Sequence, residues 1–268
     1  MRADPQTVKQ LLAELNRSPN KALGQNFFID GQRLEQLTEG MDIDGRRVLE
    51  IGAGLGALTE LLLPRAEKVY AVELDGDLCR LLEQWQNPKL QVIRGDCLTI
   101  DYSFLPPDFI AVGNLPYYIT TPIAEKLLAL LPHEMTLMVQ KEAGERFFAA
   151  PSAKNYGPVA ILSQLYYDAE MPEDIPESCY WPRPAVRSCV VRLRRRQIPD
   201  SRSQTAGLLP FIKTCLRMRR KTLLNNLKEW PGAASALQEM NLPPAIRAEA
   251  LTPEQFYLLF LSKIAYNT

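Results

Sequence analysis

The stretch Glu50-Ile51-Gly52-Ala53-Gly54-Leu55-Gly56 lies between an apolar run that ends at Ile51 and an amphipathic one that begins at Ala57. A strand turning on glycines straight into a helix is the signature of an α/β unit. The glycines let main-chain amides approach a ligand with no Cβ in the way. Twenty-one residues beyond Gly52, at the end of the next apolar run, stands Glu73. A carboxylate there can accept both hydroxyls of a ribose. Taken alone, Gly52-x-Gly54-x-x-Ala57 with a later acid also fits the dinucleotide fingerprint of a dehydrogenase. A plain glycine turn followed by a surface glutamate is the third reading.

Outward from this loop, short β-rich runs at 48–51, 69–73, 90–93, 109–112, 136–139, 165–168 and 189–193 alternate with helix-length segments. Leu58, Leu61 and Leu62 share one helical face, and Leu78, Leu81, Leu82 and Trp85 share another. This alternation predicts a mostly parallel sheet with helices on both faces and a ligand beyond the carboxyl ends of its strands. After Gln197 the texture changes. Ile198-Pro199-Asp200-Ser201 reads as a linker, and the chain beyond it reads as helical. Leu208, Phe211, Ile212, Cys215 and Leu216 form an apolar stripe, while Lys213, Arg217, Arg220 and Lys221 repeat the same spacing on another face. The expected division is an α/β domain over 1–196 and a small all-helical domain over 197–268.

Apolar residues make up 46 % of the 268, ample for a core. The longest apolar runs are far below the roughly 20 residues that span a bilayer. The first 25 residues carry scattered charges rather than an apolar block, which argues against a signal peptide. The five cysteines are odd in number and form no C-x-x-C pair, as expected of reduced thiols in a cytoplasmic protein. With His133 as the one histidine, no zinc site or histidine-based triad is available, and no metal is expected. No large apolar stripe is left over for self-association, which favours a monomer. The net charge of zero is unevenly spread. Between Arg183 and Lys228 there are 13 Lys or Arg against one acid, Asp200, so this stretch is +12 and the remainder −12. Segregation of this kind suggests a polyanion partner, with Arg217, Arg220 and Lys221 free to meet phosphates. A solvated helix face is the plainer alternative.

Two further strand ends carry chemistry. Gly95-Asp96-Cys97 closes the third strand, where an aspartate can accept from the amine of an adenine. Asn114-Leu115-Pro116-Tyr117 closes the fourth. An amine on a nucleobase attacks a sulfonium poorly because its lone pair is delocalised into the ring. The Asn114 side-chain oxygen and the Leu115 carbonyl can accept its two hydrogens and favour a pyramidal nitrogen. Pro116 restricts its own φ and the residue before it. Tyr117 can stack on a base taken out of its helix. An ordinary strand-ending turn is the alternative.

Together these residues resemble the KsgA-type ribosomal RNA adenine dimethyltransferases, and the resemblance covers nearly the whole chain. It is carried by Leu23-Gly24-Gln25-Asn26-Phe27, the glycine loop, Glu73, Asp96, Asn114 to Thr120 and Gln140-Lys141-Glu142. It continues through Pro182 to Ser188, Arg219 to Leu223, and Arg247-Ala248-Glu249. The resemblance implies a Rossmann-like class I methyltransferase sheet and S-adenosylmethionine as cofactor. It implies cofactor contacts at Asn26, Phe28, Gly52, Glu73, Asp96 and Asn114, with Gly54 beside them in the loop. The target adenine is expected between Tyr117 and Tyr180, where the family usually has Phe. Arg187 stands where the family commonly has Asp. The implied reaction dimethylates two adjacent adenosines near the 3′ end of 16S ribosomal RNA in the immature 30S subunit. Within the class the rival is the large-subunit enzyme of macrolide resistance. Outside it, the rival is a ribosome assembly factor that binds RNA without catalysis.

Overall fold

A computed structural model describes residues 2–20, 23–197 and 202–266, leaving aside the side chains of 202–206. The expected linker at 198–201 lies outside the described residues. In chain order the strands are β1 (Phe27–Phe28), β2 (Arg47–Ile51), β3 (Lys68–Glu73), β4 (Leu90–Arg94) and β5 (Ile110–Asn114). They continue with β6 (Glu134–Gln140), β7 (Tyr167–Glu170), β8 (Asp174–Ile175), β9 (Tyr180–Trp181) and β10 (Ser188–Arg195). The helices are α1 (Pro5–Glu14), α2 (Gly31–Glu39), α3 (Ala57–Leu62), α4 (Gly76–Glu83), α5 (Thr120–Leu130) and α6 (Lys141–Glu145). After them come α7 (Pro158–Tyr166), α8 (Arg202–Leu216), α9 (Leu223–Asn226), α10 (Ala233–Glu239) and α11 (Pro253–Tyr266).

The chain forms two compact units. The first comprises Met1–Ile123, Pro132–Gly144 and Glu170–Arg194. Its sheet runs β4-β3-β2-β5-β6-β10, with every pair parallel up to β6 and β10 antiparallel to it. The mostly parallel α/β architecture expected from the alternation is therefore present. β2, β3 and β5 are buried on both faces, which is why apolar residues follow one another along them without an in-out alternation. Two short antiparallel pairs, β1 with β9 and β8 with β10, add to the expected strands; at two residues such strands carry no period. The run expected at 165–168 begins instead at Tyr167, since α7 continues through Tyr166.

The second unit comprises Ala124–Leu131, Glu145–Ala169 and Arg195–Thr268, so it gathers two earlier segments as well as the helical tail. Leu208, Phe211, Ile212 and Cys215 are buried as the stripe predicted. Phe211 packs edge-on to Trp230 and tilted against Phe260, with centroids 6.4 and 5.6 Å away. The helix itself is shorter than expected. It ends at Leu216, and Arg217 to Lys221 lie in a turn rather than on its outer face. The buried Asn226 takes over there: its Oδ1 accepts from the Met218 N–H at 3.0 Å and its Nδ2 donates to the Met218 carbonyl at 3.3 Å.

The basic run is also less free than its composition suggests. Among the described residues seven of its cations face carboxylates: Arg183 and Arg187 at Glu177, Arg192 at Glu170, Arg194 at Glu134, Arg196 at Asp168, Lys213 at Glu125 and Arg219 at Glu249. Arg217, Arg220, Lys221 and Lys228 are exposed and have no carboxylate partner among the described residues. None of the five cysteines is in a disulfide. Among the described residues no group of three His, Cys, Asp or Glu is gathered for a metal, and no helix is long and apolar enough to cross a membrane.

Candidate active site

The turn after β2 places Gly52, Gly54 and Gly56 in the left-handed region, at φ +74°, +58° and +87°. The loop is pinned by its own amides: the Gly52 N–H donates to the Val72 carbonyl and the Gly56 N–H to the Ala53 carbonyl, each at 2.9 Å. At Gly52 a Cβ would lie 3.6 Å from the Asn114 carbonyl oxygen, so a side chain there would fill the gap between this loop and the tip of β5. The Gly54 N–H donates to Glu73 Oε2 at 2.8 Å. The other carboxylate oxygen accepts from the Leu74 and Asp75 N–H groups at 2.8 and 2.9 Å. Burial pushes the Glu73 carboxyl above the ordinary range, and these three donors oppose the shift.

Glu50, two residues before Gly52 on the crevice wall, is more deeply enclosed. Its Oε2 accepts from the Thr59 hydroxyl at 2.7 Å, and burial pushes its carboxyl up to about 7. Asp96, just past β4, is exposed; one oxygen accepts from the Leu98 N–H at 2.8 Å and the other meets no donor among the described residues.

These strand ends open on one crevice of about 1100 Å³ including its mouth. Asn26, Phe28, Gly52, Gly54, Glu73, Asp96, Asn114, Leu115 and Tyr117 all line it. The set of acceptors suits an adenosyl group: a strand-end carboxylate for ribose hydroxyls, a second carboxylate one strand away for an amine, and a glycine cradle between. Sequence reasoning left two walls unassigned. Leu74 and Tyr118 line the crevice and expose 46 % and 54 % of their surface, an apolar edge and an aromatic edge that a flat ring can meet. In the sequence the available signal is a leucine directly after the strand-end acid Glu73.

At the tip of β5, Asn114 Nδ2 donates to the Asn26 carbonyl at 3.0 Å. A carbonyl can only accept, so the amide nitrogen must face it, and Oδ1 meets no donor among the described residues. The Leu115 N–H is held by the Met138 carbonyl at 3.0 Å, while no donor among the described residues reaches the Leu115 carbonyl. Pro116, at φ −58°, then leads into the 3₁₀ turn Tyr117–Ile119.

Tyr117 is half-buried, with its hydroxyl 2.7 Å from Ser188 Oγ, and burial pushes its phenol above the ordinary value. Tyr180 is not brought to the crevice surface. Only 2 % exposed, it packs edge-on against Phe28 with centroids 5.0 Å apart. Its hydroxyl makes no hydrogen bond of normal geometry, although Tyr117 and Ser188 lie close enough to act on it. Arg217, Arg220 and Lys221 belong to the second unit.

Comparison with known proteins bears on this geometry. The sequence model described as "Ribosomal RNA adenine dimethylase" matches residues 16–264. A protein of Clostridium perfringens named ribosomal RNA small subunit methyltransferase A is 38 % identical over 93 % of this chain and 92 % of its own. One of the same name from Natranaerobius thermophilus is 34 % identical over 98 % and 97 %. Among solved structures, a dimethyladenosine transferase from Plasmodium falciparum has the same fold, with a TM-score of 0.70 at 23 % identity over 89 % of this chain and 97 % of that one. The 23S rRNA methyltransferase ErmE gives a TM-score of 0.59 at 25 % identity over 90 % and 100 %. With its family model spanning almost the entire sequence, the chain belongs to the ribosomal RNA adenine dimethylases and is a methyltransferase.

Proposed function

We propose that the protein uses S-adenosylmethionine to dimethylate the exocyclic amines of two adjacent adenosines near the 3′ end of 16S ribosomal RNA, in an immature 30S subunit. The observation that carries this is the pair of open acceptors, Asn114 Oδ1 and the Leu115 carbonyl, at the rim of the glycine-lined crevice. When bound, the cofactor supplies an electrophilic methyl group.

The chain's own residues do the rest. Glu73 takes the ribose hydroxyls, Asp96 the adenine amine, and Gly52, Gly54, Asn26 and Phe28 shape the bed. Asn114 and Leu115 take the two hydrogens of the target amine, drawing its lone pair out of the ring and aiming it across the crevice. Tyr117 stacks on the base, and Tyr180 is assigned the opposite face, which requires its ring to come to the surface from its buried position. No strong base is needed, because the alkylated nitrogen is acidic enough to release its proton to water. Residues 1–196 serve as the catalytic part and 197–268 as the RNA-binding part, with Arg217, Arg220 and Lys221 on phosphates. The protein acts in the cytoplasm as a monomer.

The small subunit is the substrate in the names of the bacterial relatives, which are nearer in sequence than ErmE. The likeness to ErmE along all of that chain favours large-subunit RNA as the second reading. Mass spectrometry of fragments of both ribosomal RNAs, from cells with and without the gene, separates them. Loss of two dimethyladenosines from 16S RNA is expected; loss from 23S RNA, or no loss, rejects the proposal.

A further inference from the structure

Tyr117 stands on a strand-end turn, yet its hydroxyl is tied to a residue 71 positions away. Ser188 opens β10 opposite Gln140 of β6 and Ile175 of β8, and it is fully buried. Its Oγ lies 2.7 Å from the Tyr117 hydroxyl, the one hydrogen bond of normal geometry that this oxygen makes among the described residues. A buried hydroxyl in that position is strongly bound to its partner, because water cannot replace the bond. Ser188 is held by neighbouring strands on both sides, whereas the 3₁₀ turn that carries Tyr117 is three residues long. The tether therefore transmits the order of the sheet to an aromatic ring at the rim of the crevice. Ring position there matters, since a base held slightly off line loses most of the benefit of being held.

We infer that Ser188 is a positioning residue for the methyl transfer, acting through the Tyr117 hydroxyl to set the ring against which the target base stacks. This rests on the function proposed above. Ser188 does not line the crevice, so its effect belongs in turnover and not in cofactor binding.

The test compares the full-length wild type with S188A, S188T, Y117F and the S188A/Y117F double variant. Transfer of labelled methyl groups to immature 30S particles is measured, with the KM for cofactor and the thermal midpoint. S188A is expected to lose roughly tenfold in kcat, the scale of one buried hydrogen bond, with the KM for cofactor unchanged. Y117F should lose a similar factor, and the double variant no more than the worse single. S188T, which retains a hydroxyl, should recover most of the turnover.

Three results overturn the role: full kcat in S188A, equal loss in S188T and S188A, or single losses that multiply to about a hundredfold in the double variant. If S188A does not fold, Y117F decides, and wild-type kcat there overturns it. A wild type that methylates no particle sinks the parent function instead, so the two failures are told apart.

Discussion

The Asn114 amide is oriented by the main-chain carbonyl of Asn26, 3.0 Å away and 88 residues earlier in the chain. The bond fixes which end of the amide faces the crevice, because only the nitrogen can donate. Asn114→Ala removes the free acceptor and is expected to lower turnover by about a hundredfold, the loss typical of one preorganised polar group at a reacting centre. Asn114→Asp should suffer similarly, since a carboxylate cannot donate to Asn26 and is repelled by its carbonyl. Binding of RNA, read by filter retention, should change little in either. A variant with full methyl transfer refutes the assignment.

Glu50 predicts how stability depends on pH. Burial pushes its carboxyl from 4.5 to about 7, so the folded protein holds a proton that the unfolded chain releases earlier. Between these values folding takes up a proton, and stability falls as pH rises. The contribution is fully present below the unfolded value and is lost once pH passes the folded one. Glu50→Gln cannot ionise and should escape the loss. Its unfolding free energy relative to wild type is expected to improve by roughly 3 kcal/mol between about pH 4 and pH 8. Denaturant titration at both values checks this, and a difference that stays flat contradicts the shifted carboxyl.

How far the sequence alone reveals this site depends on where its determinants lie. The glycine loop, Glu73, Asp96 and Asn114 are each local features at strand ends, where a parallel sheet gathers its ligand. They are legible because topology does the gathering. The amide orientation of Asn114 depends on Asn26, and the tether of Tyr117 on Ser188, and neither pairing leaves a periodic trace. The helix expected to extend through Lys221 stops at Leu216 because Asn226 caps the turn, a contact invisible to residue spacing. Counting charges finds thirteen cations but not the carboxylates that distant segments set against five of them. The two-residue strands are too short to announce themselves.

Tyr180 carries a buried hydroxyl without a hydrogen bond of normal geometry. Burial pushes its phenol strongly upward, as expected of a group kept neutral in an apolar setting. Tyr180→Phe removes that oxygen and keeps the ring edge that meets Phe28. Since an unsatisfied buried polar group costs about 1–3 kcal/mol, the variant should match or exceed the wild type in stability, by up to this amount. Thermal unfolding decides; a lowered midpoint means that the hydroxyl does find a partner in Tyr117 or Ser188.

The cations left unpaired on the second unit predict how RNA binding responds to salt. Arg217, Arg220 and Lys221 face no carboxylate among the described residues, while Arg196 sits 2.8 Å from Asp168 and Arg219 3.1 Å from Glu249. A cation already neutralised by its own protein releases few counterions when RNA arrives. Replacing Arg217, Arg220 and Lys221 together with Gln should therefore weaken binding and flatten the slope of log K against log salt by about 2 to 3. The single change Arg196→Gln should leave that slope nearly as it was. Filter binding to the same 16S fragment over a salt series reads both. Equal slopes in the triple variant and the wild type mean that this turn does not meet phosphate, and a large change in Arg196→Gln means that its ion pair opens for RNA.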